Sequence, residues 1–262
     1  MTLDPARHLA TIRREGARLA AIPADALDLP VPAAEGWTVE TVLRHTGKVH
    51  RWATALLGSP LGVDLAEVSA AVASLPRGTA CLAAYREALD GLVAALEDRD
   101  PTEAVPSFVG PADVAFWLRR QAHELGIHRD DAQVAVQASG GAAPDPVPSD
   151  VAADGVDEWL RLFVATRWPQ RCGTYPEPIR GRSFHFHGTD DPAPPGEAEW
   201  LVRFGDDGTS CTVTAEHAKG DAALRGSAEA LFLTLWRRRP LDTLQVVGDA
   251  EAASALRDTL RF

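Results

Sequence analysis

One segment of this sequence, rich in residues that end both helices and strands, divides the chain into two differently patterned halves. The segment reads Ser-Gly-Gly-Ala-Ala-Pro-Asp-Pro-Val-Pro and spans 139–148. Before it, apolar residues recur at the helical spacing of three and four positions; after it, short runs alternate between apolar and polar residues. We therefore predict an N-terminal helical domain over residues 1–138, a linker over 139–149 and an α+β domain over 150–262.

The N-terminal half contains four amphipathic stretches, which favour a four-helix bundle. They cover residues 3–22, Thr38 to about Leu57, 79–97 and 112–137. The C-terminal half mixes two kinds of pattern. Strand-like runs lie at 182–188, 198–204, 209–215 and 243–247, and helical patterns lie at 150–167, 227–238 and 249–260. The predicted fold class is α+β, a four-helix bundle followed by a smaller α/β domain.

Charge and composition exclude several classes of function. A net charge of -11 argues against nucleic acid as a partner, because nucleic-acid binders usually carry a basic face. The three cysteines lie far apart and form no C-x-x-C pair, which indicates a reducing compartment rather than a disulfide framework. No apolar stretch reaches the length of a membrane span. We expect a cytoplasmic protein, either a monomer or a homodimer, that contacts no membrane.

The fourth predicted helix carries a pair of residues with metal-ligand spacing. Glu124 and His128 stand four positions apart, so their side chains project from one face of the helix. A third ligand from another helix would complete a site with an open position, as in catalytic zinc centres. The second helix offers His45 and His50. Helical periodicity places His45 at the edge of the apolar face and His50 nearer its centre, and by itself favours His50.

Other polar and aromatic residues favour structural interpretations. His185 and His187 share one face of a predicted strand, which permits metal binding but is more typical of a solvated edge, so we leave them outside the predicted site. The tryptophans at 37, 117 and 236 are interpreted as packing residues. The three cysteines are interpreted as small buried hydrophobic residues rather than nucleophiles.

Three motifs together resemble the mycothiol-dependent maleylpyruvate isomerase family. They are Gly36-Trp37-Thr38 followed by His45, the helix with His123-Glu124-x-x-x-His128-Arg129-x-Asp131, and the stretch 221–227 leading to Leu235-Trp236. The resemblance spans nearly the whole chain. It implies a DinB-like metal-binding bundle and a C-terminal domain like that of sterol carrier proteins. It also implies the metal ligands His45, Glu124 and His128, since the spacing from Gly-Trp-Thr selects His45 over His50.

The resemblance further implies a catalytic arginine from the C-terminal domain. Arg238 follows Leu235-Trp236 at a position where the family pattern often has Gly-Arg, although Arg237 replaces the glycine here. This departure leaves open which arginine of 237–239 faces the active-site cleft.

The function implied by the resemblance is a zinc-dependent isomerase or S-transferase, with mycothiol as thiol cosubstrate. Zinc, or another divalent metal, held by two imidazoles and one carboxylate keeps a net positive charge and can bind a thiol as its thiolate. The thiolate would add to a small electrophile of the maleylpyruvate type. Two alternatives stay open: a thiol-independent metal hydrolase, and a non-catalytic metal-binding or regulatory protein of the same fold.

Overall fold

The computed structural model of the chain describes residues 2–190 and 198–262. The backbone forms two compact units, Asp4–Asp145 and Pro146–Phe262, and Leu3 is grouped with the second. The division falls within the segment predicted as a linker. In the described ranges, no helix combines the length and the apolar character needed to cross a membrane.

Helices build most of the N-terminal unit. They are α1 (Pro5–Ala20), α2 (Val39–Leu57), α3 (Leu65–Ala71), α4 (Ala80–Glu97) and α5 (Val114–Ala138). Helices α1 and α2 each pack against both α4 and α5, which gives the predicted four-helix bundle. Between α4 and α5 the chain adds an antiparallel hairpin, β1 (Ala104–Ser107) and β2 (Gly110–Asp113). The hydrophobic pattern indicated neither this hairpin nor α3.

The bundle core is largely apolar and includes one fully buried ion pair. All four long helices contribute fully buried side chains, among them Ile12, Leu19, Leu43, Leu56, Leu92, Trp117 and Leu125. Burying each such side chain stabilises the fold by roughly 1.5–3 kcal/mol. The Nε of Arg129 lies 2.7 Å from Glu15 Oε2, and both side chains are shielded from solvent. This pair joins α5 to α1 and keeps each buried charge compensated.

The C-terminal unit is a sheet with helices. Helix α6 (Ser149–Glu158) continues through π-helical turns over Trp159–Arg167 into α7 (Trp168–Cys172). The strands are β3 (Ser183–Gly188), β4 (Glu199–Phe204), β5 (Cys211–Thr214), β6 (Ala222–Gly226) and β7 (Gln245–Gly248), and the later helices are α8 (Ala228–Leu235) and α9 (Ala250–Thr259). The sheet order is β5-β4-β3-β6-β7, with β3 and β6 parallel and the other neighbours antiparallel. The predicted fold class is confirmed.

The two faces of strand β3 have different roles. Phe184 and Phe186 are fully buried on one face, which also carries Trp200 from the neighbouring strand. The indole Nε1 of Trp200 donates a hydrogen bond to Asp157 Oδ1, 3.0 Å away, so this face packs against α6. Because side chains alternate along a strand, His185 and His187 lie on the opposite face.

Helix α8 ends in a motif that normally uses glycine. The Arg238 N–H donates to the Leu233 carbonyl oxygen at 2.7 Å, and the Arg237 N–H donates to that of Thr234 at 2.9 Å. These two bonds form a Schellman motif, in which the residue after the C-cap is left-handed. Arg237 accordingly has φ = 67°, a positive value found at no other non-glycine residue that the structure describes.

We expect glycine to be the better residue at position 237. An L side chain in the left-handed region costs about 1 kcal/mol, which glycine avoids. Arg237→Gly should therefore exceed Arg237→Ala in free energy of unfolding by about 1 kcal/mol, measured by urea denaturation. Both variants lose the guanidinium, so their difference isolates the backbone effect. An alanine variant as stable as the glycine variant would contradict the strain at this residue.

Candidate metal centre

Two capped helices position the residues of the candidate metal centre. The Thr38 hydroxyl accepts a hydrogen bond from the Thr41 N–H at the start of α2, and Asp113 Oδ1 accepts one from the Phe116 N–H at the start of α5. Such caps satisfy backbone donors that the first helical turn leaves unpaired. His45 lies on α2, Glu124 and His128 lie on successive turns of α5, and these two helices pack together.

The structure brings His45, Glu124 and His128 together. Glu124 Oε1 lies 3.1 Å from His45 Nε2 and 3.2 Å from His128 Nε2. The ring centroids of the two imidazoles are 4.9 Å apart, and the three potential ligand atoms lie within 4.8 Å of one another. One carboxylate oxygen therefore faces two imidazole nitrogens, and together these three groups could hold a metal ion.

Two further residues of α5 hold the cluster in place. Asp131 Oδ2 lies 3.0 Å from His128 Nδ1, and Arg120 Nη2 lies 3.2 Å from Glu124 Oε2. A carboxylate on the far nitrogen fixes the orientation of a ligating histidine and raises its basicity. Sequence reasoning assigned neither residue a role, although their spacing of three and four positions from His128 and Glu124 was the available signal.

The charged groups of the cluster shift one another's pKa values. Burial alone would lower the pKa of His128, but the Glu124 and Asp131 carboxylates outweigh that effect and raise it to about 9. Burial alone would raise the pKa of Glu124. The imidazoles of His128 and His45 and the guanidinium of Arg120 instead hold it well below its usual range. Glu124 is therefore an anion at neutral pH, the state that a carboxylate ligand requires, whereas His128 must release its Nε2 proton when a metal binds.

An aromatic side chain covers the cluster. The ring of Trp37 lies parallel to His128, with an interplanar angle of 13° and a centroid separation of 5.9 Å. It also contacts His45 at a centroid distance of 5.1 Å. Gly36, with φ = 76°, allows the turn that leads into this tryptophan. Sequence reasoning interpreted Trp37 as a packing residue; in the structure it also forms a wall of the candidate site.

The donor set suits a catalytic divalent metal. Two imidazole nitrogens and one carboxylate oxygen are the ligand types of catalytic zinc sites, in which a fourth position stays open. The Asp131 contact supplies the outer carboxylate that often accompanies a zinc-binding histidine. The His45 side chain is 39% exposed, so the cluster is accessible from solvent.

His50, the alternative third ligand, is not among the converging side chains. It is fully buried, and its Nδ1 donates a hydrogen bond to Gln121 Oε1 at 2.8 Å. Burial lowers its pKa to about 4, because the charged imidazolium would lose its hydration. His50 is thus a neutral core residue that joins α2 to α5.

We expect His50→Asn to retain the metal and to reduce the acid sensitivity of the fold, whereas His45→Ala should lose the metal. Between pH 6.5 and about 4 the unfolded chain binds a proton at His50 that the folded chain does not. Stability should therefore fall as the pH drops through this window, by about 3 kcal/mol at most. Urea denaturation between pH 4 and 7, with elemental analysis, checks both statements. Metal loss in His50→Asn but not in His45→Ala would contradict them.

The remaining histidine of the α5 motif is not one of the converging ligands, and the predicted arginine belongs to the other unit. His123 is buried and meets His8 edge-to-face, with ring centroids 5.9 Å apart. Arg238 belongs to the C-terminal unit, where it is half-buried just after α8 and its Nη1 donates to the Trp236 carbonyl oxygen at 2.8 Å.

Comparisons with known proteins agree with this architecture. Family models match residues 9–133, as the mycothiol maleylpyruvate isomerase N-terminal domain, and residues 150–255, as the MDMPI C-terminal domain. The chain resembles two crystal structures of a mycothiol-dependent maleylpyruvate isomerase, one of them a histidine-to-alanine variant. The TM-scores are 0.59 and 0.60 at 14% identity, covering 94% of this chain and 95% of the other. No curated protein sequence gives a significant match.

Proposed function

Because the chain belongs to the mycothiol-dependent maleylpyruvate isomerase family, we propose that it uses a divalent metal and a low-molecular-weight thiol to isomerise a small electrophile. The observation that carries this proposal is the convergence of His45, Glu124 and His128 on one space in the N-terminal unit. Zinc is the proposed metal, mycothiol the proposed thiol and maleylpyruvate the proposed type of substrate. Transfer of the thiol to another electrophile is the related activity.

The three ligands and their neighbours have distinct proposed roles. A divalent metal held by His45, Glu124 and His128 would retain positive charge and would stabilise a thiol as its thiolate, the nucleophilic form, near neutral pH. Asp131 accepts a hydrogen bond from His128 Nδ1, which would leave Nε2 as the ligating atom. Arg120 binds the second oxygen of Glu124 and leaves Oε1 directed at the two histidines.

The proposed reaction is a reversible addition. The thiolate sulfur forms a bond to one carbon of the cis double bond, and the electron pair moves to the adjacent carbonyl as an enolate. Rotation about the resulting single bond follows. The enolate then collapses, re-forms the double bond in the trans arrangement and expels the thiolate, so the thiol is not consumed. If the enolate is protonated instead, the product is a thioether, which is the S-transferase outcome.

Arg238 is proposed to bind the substrate. A maleylpyruvate-type substrate carries two carboxylates, and a chain with a net charge of -11 needs a local cation to hold such a dianion. A fixed guanidinium would also stabilise the negative charge that develops on the enolate oxygen. The role proposed for Arg238 is therefore contact with the reacting molecule rather than with the metal.

The test is a rate measurement on the metal-loaded full-length chain with maleylpyruvate. We expect isomerisation only when mycothiol is added, with the thiol recovered unchanged at the end. Turnover that is independent of thiol would contradict the proposal and favour a metal hydrolase. A purified protein without metal and without turnover would favour the non-catalytic alternative.

A further inference from the structure

A second group of metal-ligating side chains lies in the C-terminal unit, on the sheet face opposite α6. His185 and His187 project from β3, and Glu199 begins the neighbouring strand β4. The register places His187 directly opposite Glu199. His217 follows β5 and completes the group, which we call the sheet cluster. Its four residues come from three separate segments of the chain.

The side chains of the sheet cluster converge. Glu199 Oε1 lies 2.5 Å from His187 Nδ1, and Glu199 Oε2 lies 2.7 Å from His217 Nδ1 and 3.8 Å from His185 Nε2. The three imidazole centroids are separated by 5.2 to 5.7 Å. One potential ligand atom from each residue falls within 4.8 Å of the others. The four side chains thus surround a single point rather than forming independent pairs.

Two nitrogens of the sheet cluster are buried without a hydrogen bond. Within the described residues, His185 Nε2 has no hydrogen-bond partner, and His187 Nδ1 is close to Glu199 but lacks hydrogen-bond geometry. Buried polar atoms are nearly always satisfied, so each exception requires an explanation such as an ion. His185 is 6% exposed, so the interpretation of this pair as a solvated edge is wrong for that residue.

Three imidazoles surround one carboxylate, so protonating all of them would set three positive charges around Glu199 alone. Neutral imidazoles avoid this repulsion and present lone pairs, which is the form that binds metals. One divalent ion would satisfy the inward nitrogens and the carboxylate together.

We propose that His185, His187, Glu199 and His217 form a second metal site that binds a divalent transition metal of the zinc type. Three imidazoles and one carboxylate suit zinc rather than calcium or magnesium, which prefer oxygen ligands. Four protein ligands fill a tetrahedral shell, so the site is structural. It ties the segment after β5 to strands β3 and β4. The site is separate from the cluster of His45, Glu124 and His128 and does not depend on the function proposed for it.

The test is zinc stoichiometry of the full-length chain after loading with excess Zn²⁺ and dialysis into zinc-free buffer. We expect two equivalents in the unmodified chain and one in His217→Ala. His128→Ala should also retain one, and the double variant should retain none. The His217 side chain is 74% exposed, so its removal leaves the core intact. Lys219→Ala, an exposed neighbour outside the cluster, is the matched control and should keep both ions.

Two results would overturn the second site. One is a zinc content that His217→Ala does not reduce. The other is an unmodified chain whose zinc is lost entirely in His128→Ala. A thermal readout keeps the two metal sites distinguishable: in the His128→Ala background, zinc should raise the Tm, and adding His217→Ala should abolish that rise. If zinc is lost in His217→Ala and unaffected by His128→Ala, the second site stands and the proposed catalytic centre fails.

Discussion

Replacing Glu124 with glutamine is expected to empty the proposed metal centre of the N-terminal unit and to lower turnover by roughly 10³-fold. The glutamine preserves the size of the side chain but removes the negative charge that faces both imidazoles. A catalytic metal contributes several kcal/mol to transition-state stabilisation, which corresponds to this loss of rate. Elemental analysis and steady-state kinetics on the same preparation measure both effects. His128→Ala should behave in the same way.

Glu87→Gln is the matched control, because it makes the same chemical change at an exposed position on α4. It should keep both the metal and the turnover. A Glu124→Gln protein that retains its full metal content would show that this carboxylate is not a ligand. Full turnover after metal loss would show that the cluster takes no part in the reaction.

Replacing Arg238 with alanine is expected to lower turnover of a dicarboxylate substrate by about 10²- to 10³-fold, with the metal content unchanged. An interaction made with developing negative charge is lost, whereas the metal ligands are untouched. The Schellman motif at the end of α8 uses the backbone N–H of Arg238, so it survives the substitution. Kinetics with a dicarboxylate, together with elemental analysis, provide the measurement.

Arg237→Ala and Arg239→Ala are the controls and should retain turnover. If one of them loses activity while Arg238→Ala does not, the substrate-binding arginine lies one position away from the position that the family pattern implies. Normal turnover in all three variants would indicate that residues 237–239 are only a solvated helix end. It would also argue against a dianionic substrate.

The long helices and the division of the chain were predictable because several local signals agreed. Apolar periodicity, the Thr38 cap and the breaker-rich run at 139–148 all indicate the same boundaries. For the short strands, the local sequence signals did not agree in this way. Strand β6 reads Ala-Ala-Leu-Arg-Gly, without β-branched residues, and forms because its neighbours β3 and β7 supply hydrogen bonds.

The residues of the proposed metal centre carry sequence signals of different strength. The four-residue spacing of Glu124 and His128 is a local signal that depends only on helix geometry. Periodicity alone favours His50, the more deeply buried residue, whereas the structure places the partly exposed His45 beside Glu124 and His128. The Trp37 contact depends on tertiary packing and has no local signature.

The sheet cluster shows the limit of sequence reasoning most clearly. The alternation of His185 and His187 was visible, but Glu199 and His217 join them only through strand register. A shift of one residue would place a strand's side chains on the other face, so no spacing rule identifies this group in advance.

Thiol binding to cobalt-substituted protein tests most directly whether His45, Glu124 and His128 hold a metal that activates a thiol. In the His217→Ala background the proposed second site is removed, so cobalt should occupy that centre alone. Adding mycothiol near neutral pH should produce a sulfur-to-cobalt charge-transfer absorption with release of the thiol proton, and Glu124→Gln should show neither. A spectrum unchanged at saturating mycothiol, in a protein that still isomerises maleylpyruvate, would contradict the proposed activation.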